Sequence, residues 1–244
     1  MRGDADIASV AALMGEPARA AVLTALADGR ALAASTLAAE AGVAPSTVSG
    51  HLARLVDGGL VRVEPSGRNR YFRLAGPEVA DAVEALARLA PTRPVRSLRA
   101  GTHAEAIRAA RTCYDHLAGR LSVALLDALV AEGVLRVESQ PGADADPVLG
   151  AGRARRYQLT DHGRERLADL GVVLDRPNRR PLLRYCLDWS EQRPHLGGAL
   201  GAALLDQFVF LGWVLRGERR VVRLTEPGRK GLGSQLGLDL PALP

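Results

Sequence analysis

GVAPSTVSGHLARLVDGGLVRVEPSGRNRYFRL, residues 42–74, decides how this chain is read. Pro45 suits the first position of a helix, because its φ is already helical and its missing N–H would find no partner there. Val48, Leu52, Leu55 and Val56 then recur at i, i+4, i+7 and i+8, one apolar helical face, while Ser46, Thr47, Ser49, Gly50 and Arg54 fall opposite. A face of small hydroxyl residues can come close to base edges. Gly58-Gly59 ends the helix, since glycine takes the left-handed C-terminal conformation without strain. Leu60 to Glu64 alternate as a strand, Ser66-Gly67-Arg68-Asn69 has turn composition, and Arg70 to Leu74 return as a second strand. A helix followed by an arginine-tipped hairpin spells a winged helix-turn-helix.

Working upstream, Ile7, Val10, Ala11, Leu13 and Met14 predict an amphipathic helix over 5–15. Pro17 opens a second over 17–27, stopped by Asp28-Gly29. Ser35 is the expected N-cap of a short helix over 35–41, the first of the helix-turn-helix pair. Downstream, Gly76-Pro77 breaks the strand, and Val79, Val83, Leu86 and Leu89 form the apolar face of a helix over 78–90.

The helix PSTVSGHLARLVDGGLV, with TLAAEAGVA before it and RVEPSGRNRYFRL after it, resembles the DNA-binding domain of ArsR-type bacterial transcriptional regulators over roughly residues 5–90. The resemblance implies a homodimer built through the first and last helices of the domain. It also implies helix 45–57 in the major groove, the wing against the backbone, and repression relieved by an inducer. On this reading Ser46, Thr47, Ser49 and Gly50 approach base edges, and His51 and Arg54 meet the backbone or flanking bases. Arg68, Asn69 and Arg70 reach phosphates or the minor groove. The partner is double-stranded DNA, with an inverted-repeat operator matching two recognition helices. The metal-site patterns of the family are missing where they would fall: helix 35–41 has no Cys-x-Cys, and helix 78–90 has no histidine.

Charge supports this arrangement by placement and not by total. The net charge is +5, yet residues 1–90 hold 9 Arg against 10 acidic residues. Arg54, Arg62, Arg68, Arg70 and Arg73 cluster on the elements that would face DNA. No apolar run approaches the ~18 residues of a membrane span, and MRGDADIASV lacks a signal-peptide pattern, so a cytoplasmic protein is expected. Two cysteines, Cys113 and Cys186, are too few for a disulfide framework.

The second half contains an internal duplication. Residues 111–172 read RTCYDHLAG, LLDALVAEGVL and RRYQLTDHGRERLADLGV; residues 184–238 read RYCLDWSEQRPHLGG, LLDQFVFLGWVL and RRVVRLTEPGRKGLGSQLGL. Three blocks recur in one order, predicting two degenerate winged-helix-like repeats, each with helices, a strand hairpin and a helix. The expected organisation is a winged domain over 1–90, a basic linker over 91–103 containing Arg93, Arg96 and Arg99, repeat 1 over 104–176 and repeat 2 over 177–244. Residues 139–152 are expected as an exposed hairpin tip, with Gly217-Glu218 as its short equivalent. The fold class is mainly α with short β-hairpins, that is α+β.

The duplication aligns Cys113 with Cys186, Asp115 with Asp188, and His116 with His195 after a six-residue insertion. Cys113-x-x-His116 is expected at a helix start, where an i, i+3 pair shares a face. Three readings stay open: a thiolate and imidazole site for Zn or another thiophilic ion, a pocket for a thiol-reactive or organic effector, and plain core packing. The two cysteines could also form a redox-switched disulfide. Of nine aromatic residues, seven lie in the second half; Tyr114, Tyr185 and Trp189 flank the cysteine blocks, and Phe208, Phe210 and Trp213 are expected on one helix. No Gly-x-Ser-x-Gly, phosphate-binding loop or His-Glu-x-x-His is present, and an enzyme is not expected. The sequence therefore points to a DNA-binding regulator, a repressor by preference, with a duplicated C-terminal sensor. The alternative is an interaction or metal-binding module whose winged domain no longer regulates transcription.

Overall fold

The computed structural model describes residues 4–92, 94–139, 155–174 and 181–238. The chain divides into two compact units, Met1–Ala87 and Arg88–Pro244. The first runs α1 (Ile7–Met14), α2 (Pro17–Leu26), β1 (Leu32–Ala33), α3 (Ala34–Ala41), α4 (Pro45–Asp57), β2 (Val61–Ser66), β3 (Asn69–Leu74) and α5 (Pro77–Leu89).

Helix ends account for much of its local order. Asp6 caps α1 by accepting from Ser9 N at 3.1 Å. Glu16 caps α2 by accepting from Ala18 N and Arg19 N, next to Pro17 at the first helical position. Arg19 then reaches back to donate to Leu13 O at 2.7 Å and Ala12 O at 2.9 Å, satisfying carbonyls at the end of α1. Ser35 is not the N-cap of α3. That place is held by Ala33, without a side-chain hydrogen bond, because Leu32 and Ala33 pair with Phe72 and Tyr71 as a strand that runs directly into the helix. The sheet has order β1-β3-β2, with β2 and β3 in register from Val61↔Leu74 to Ser66↔Asn69. At the end of α4 it is Gly59, φ 70°, that takes the left-handed conformation.

The apolar face of helix α5 is only partly covered, Val79 and Val83 being half-buried. Ala80 and Glu84 turn inward, while Leu86 and Leu89 are exposed, Leu89 at 84%. Ile7 and Val10 of α1 are exposed as well. Met14 joins the core, but the outer part of each apolar stripe is left uncovered by the domain itself.

The second unit opens with α6 (Leu98–Ala109), capped by Ser97. Residues 98–103, expected as linker, are thus helical; Arg93 lies outside the described residues. Two copies of one pattern follow, hairpin, helix, hairpin, helix. The first is β4 (Arg111–Cys113), β5 (His116–Ala118), α7 (Arg120–Ala131), β6 (Leu135–Ser139), β7 (Arg155–Leu159) and α8 (Asp161–Asp169). The second is β8 (Arg184–Leu187), β9 (Pro194–Gly197), α9 (Gly198–Phe210), β10 (Val214–Arg216), β11 (Val222–Leu224) and α10 (Glu226–Leu236). Each repeat therefore begins with a hairpin where the sequence suggested a helix. The 139–152 tip falls largely on 140–154, outside the described residues. Trp213 lies beyond the end of α9 and stacks on Phe208 at 5.6 Å.

The repeats do not fold as separate domains. Helix α7 packs on β9 and α9 packs on β5, so each copy covers the other's strand. Leu121, Leu125, Leu129, Leu200, Leu204 and Phe208 belong to a single core.

The recurring Leu-Thr-x-x-Gly-Arg has a geometric cause. Thr160 and Thr225 are N-caps whose Oγ1 accepts from Gly163 N at 2.9 Å and Gly228 N at 3.0 Å. The same hydroxyls lie within hydrogen-bonding distance of Gly133 O and Gly212 O, at 2.7 and 2.8 Å. Each cap thereby ties a helix start to the preceding hairpin. The glycine is required because a Cβ there would lie 2.2 Å from Val134 O or 2.0 Å from Trp213 O. Gly163→Ala and Gly228→Ala are accordingly expected to lower the thermal midpoint of the C-terminal unit, each costing about 1–3 kcal/mol. Gly233→Ala, in the same helix as Gly228 but with its nearest added contact at 3.7 Å, should leave the midpoint unchanged or raise it.

Candidate DNA interface and a buried cysteine-histidine cluster

The face of α4 that the core leaves uncovered carries Ser46, Thr47, Ser49, Gly50 and Arg54, all exposed, while Val48, Leu52 and Leu55 are buried. The Ser49 hydroxyl donates to Pro45 O at 3.0 Å, leaving its oxygen lone pairs outward. Arg68, Asn69 and Arg70 are exposed at the wing. Two expected cations are altered by their surroundings. Arg62 and Arg73 lie 3.2 and 3.4 Å from the Glu64 carboxylate, which offsets part of their charge. His51, expected at the DNA backbone or flanking bases, has a half-buried ring with Nδ1 3.3 Å from Glu16 Oε2, a contact that links α4 to the start of α2. An exposed hydroxyl helix beside a cationic hairpin defines a winged DNA-binding domain.

In the second unit the other predicted residues come together. Cys113 and His116 are opposed across the β4–β5 hairpin, and Cys186 and His195 across β8–β9. Neither pair lies at a helix start. A turn at Tyr114 (φ 58°) and Asp115 folds the short Cys-x-x-His back on itself, and the longer second loop reaches the same register with six more residues. One ligand atom from each of Cys113, His116, Cys186 and His195 lies within 4.8 Å of the others. The imidazoles are 5.2 Å apart, centroid to centroid. Neither cysteine is in a disulfide.

Each histidine has a carboxylate from its own repeat on one side. His116 Nδ1 is 3.3 Å from Asp115 Oδ1 and His195 Nδ1 is 3.6 Å from Asp188 Oδ2. His116 Nε2 is buried without a hydrogen-bond partner, as are both nitrogens of His195. Burial lowers the basicity of both rings. At His116 the neighbouring Cys113 and Asp115 overcome this and raise its pKa to about 9. At His195 burial, reinforced by the charge on His116, holds the pKa well below the usual range.

Asp188 is the polar centre of this region. Its carboxylate accepts from Arg111 Nη2 at 3.0 Å and Gly119 N at 2.7 Å, both in repeat 1. It also accepts from Ser190 N, Ser190 Oγ and Glu191 N within its own loop. Burial opposes its ionisation, but the Arg111 guanidinium and these donors hold the pKa at about 2. Arg111 is itself fully buried, its guanidinium 4.7 Å from the Trp189 ring centroid. Sequence reasoning missed Arg111 and the central role of Asp188. A signal existed in Arg111-Thr-Cys113-Tyr-Asp115 and Arg184-Tyr-Cys186-Leu-Asp188, an Arg-x-Cys-x-Asp present in both copies.

Comparison with known proteins agrees with the first unit's geometry. A helix-turn-helix domain family matches residues 14–64. The HTH-type transcriptional regulator YdfF of Bacillus subtilis is 34% identical over 238 residues, covering 96% of this chain and 99% of its own. Among solved structures, HlyU of Vibrio cholerae in its reduced form is 27% identical, covering 35% of this chain and 88% of its own at a TM-score of 0.32. The homodimeric winged helix-turn-helix domain of a possible ArsR-family regulator from Mycobacterium bovis is 31% identical, covering 36% and 88% at a TM-score of 0.31. This chain belongs to the HTH-type transcriptional regulators, and carries a further C-terminal unit. Among the described residues no single helix is long and apolar enough to cross a membrane.

Removing the Asp188 charge strands a fully buried guanidinium, so Asp188→Asn should cost about 3–5 kcal/mol in urea unfolding. Asp127→Asn, which breaks the exposed pair with Arg193, should change stability by less than about 1 kcal/mol.

Proposed function

We propose that this chain is a cytoplasmic, homodimeric repressor that binds an inverted-repeat operator through α4 and the β2–β3 wing, with the C-terminal unit making that binding responsive to an effector. The observation that carries the reading is the uncovered face of α4. Five small or cationic residues are held outward by a three-residue buried stripe, next to a wing that exposes Arg68 and Arg70. Ser46, Thr47, Ser49 and Gly50 read bases from within the groove; Arg54, Arg68, Asn69 and Arg70 contact the backbone. The uncovered Ile7, Val10, Leu86 and Leu89 support dimerisation through α1 and α5. The effector role is assigned to the C-terminal unit because its buried cysteine-histidine cluster has polar atoms that the fold leaves unsatisfied.

The test is selection of a preferred duplex from a random pool, followed by binding measurements across a salt series. Thr47→Ala should reduce discrimination between that duplex and a scrambled one, by about 1–3 kcal/mol. Arg68→Ala should weaken binding to both and reduce the salt slope by about 1. Failure of the intact protein to select any sequence would sink the reading. Leu89→Glu should shift the protein from dimer to monomer in analytical ultracentrifugation, and weaken operator binding in parallel.

A further inference from the structure

We infer that Cys113, His116, Cys186 and His195 form a closed tetrahedral site for zinc, or another divalent ion of the same borderline-soft class, one per chain. The inference concerns the C-terminal unit alone and does not depend on how the first unit meets DNA.

Four observations converge. The donor set, two thiols and two imidazoles, is the one that selects a tetrahedral borderline ion over a hard cation. It is assembled from two hairpins far apart in the sequence, each supplying a Cys and a His opposed in register. The ligand atoms already lie within 4.8 Å of one another; a zinc tetrahedron places such atoms roughly 3.3–3.8 Å apart, a contraction of about 1 Å at the widest.

The imidazoles are also oriented for the purpose. A carboxylate faces Nδ1 of each ring, Asp115 on His116 and Asp188 on His195. At His116 this contact is within hydrogen-bonding distance, the arrangement that leaves Nε2 as the ligand nitrogen. Both Nε2 atoms are buried and lack hydrogen-bond partners, a cost that coordination would remove. Space beside His116 is kept by Gly197, where an added Cβ would stand 3.2 Å from His116 Nε2.

Charge selects the valence. Two thiolates and two neutral imidazoles cancel a dication, and Asp188 beside them is already matched by Arg111. A monovalent ion would leave a net negative charge in a buried site, and a trivalent ion a positive one. With four protein ligands, three of them buried, no position is left for a substrate. The ion therefore joins the two repeats; it does not perform catalysis.

The experiment uses the full chain, purified and kept anaerobic with thiol reductant, stripped with chelator and titrated with Zn²⁺ against a chromophoric competitor and with Co²⁺ by absorption. One Zn²⁺ per chain is expected, along with a Co²⁺ spectrum showing intense tetrahedral ligand-field bands and thiolate-to-cobalt charge transfer. Cys113→Ser and Cys186→Ser should each remove part of the charge-transfer intensity. Asp115→Asn, at a partly exposed position, should weaken Zn²⁺ binding by about 10–100-fold at unchanged stoichiometry. If the cysteine variants fail to fold, the wild-type cobalt spectrum decides. A fully reduced wild-type chain that takes up no cobalt, or a spectrum without charge transfer, overturns the site. So does stoichiometric binding that survives loss of both cysteines. Duplex binding is measured on the same samples: metal uptake without sequence-selective DNA binding would sink the repressor reading and leave this site standing.

Discussion

Asp188 is fully buried, and its carboxylate accepts five hydrogen bonds from the protein. Two of them come from the other repeat, Arg111 Nη2 and Gly119 N. A buried carboxylate is tolerable only when its charge and its lone pairs are both matched. The placement of β4, of the turn into α7, and of the Trp189 loop is therefore coupled to one side chain. His195 borders the same oxygen at 3.6 Å, so the Asp188 network adjoins the cysteine-histidine cluster.

The duplication explains how such a centre could be assembled. Both copies fold by identical local rules, with a glycine near φ 80° opening each long helix, Gly119 at 82° and Gly198 at 79°, and a threonine cap with a clearance glycine opening each short one. Packed crosswise, the copies bring equivalent residues face to face, and then equivalence ends. Asp188 and Arg111 are buried as a pair across the copies, whereas their counterparts Asp115 and Arg184 remain nearer the surface. The same motif thus serves as a buried brace in one copy and as a carboxylate beside a histidine in the other.

The N-terminal unit separates shape from charge. The uncovered face of α4 carries one arginine, Arg54, and otherwise small residues that would let the backbone approach a groove. The stronger positive charge sits on the wing. Two wing arginines share Glu64, whereas Arg68 and Arg70 are exposed at the tip. Electrostatic attraction that carries no sequence information is in this way kept apart from the surface that could read bases.

The sequence by itself determined the elements that depend on near neighbours. Pro45, the Val48/Leu52/Leu55 stripe and the turn at Gly67 fixed the helix and wing, and the order of repeated blocks fixed the duplication, because periodicity, capping and turn chemistry act over a few residues. The same local logic placed Cys113 and His116 wrongly on a helix, since a four-residue Cys-x-x-His fits a helical face and a tight hairpin equally well. It did not show that α5 turns Ala80 and Glu84 inward, nor that Glu16, in a different helix, lies beside the His51 ring. Only tertiary structure decided these points. It alone brought Cys113 to Cys186 and Arg111 to Asp188, because such contacts join residues more than seventy positions apart, where burial and charge matching in three dimensions take the place of spacing along the chain.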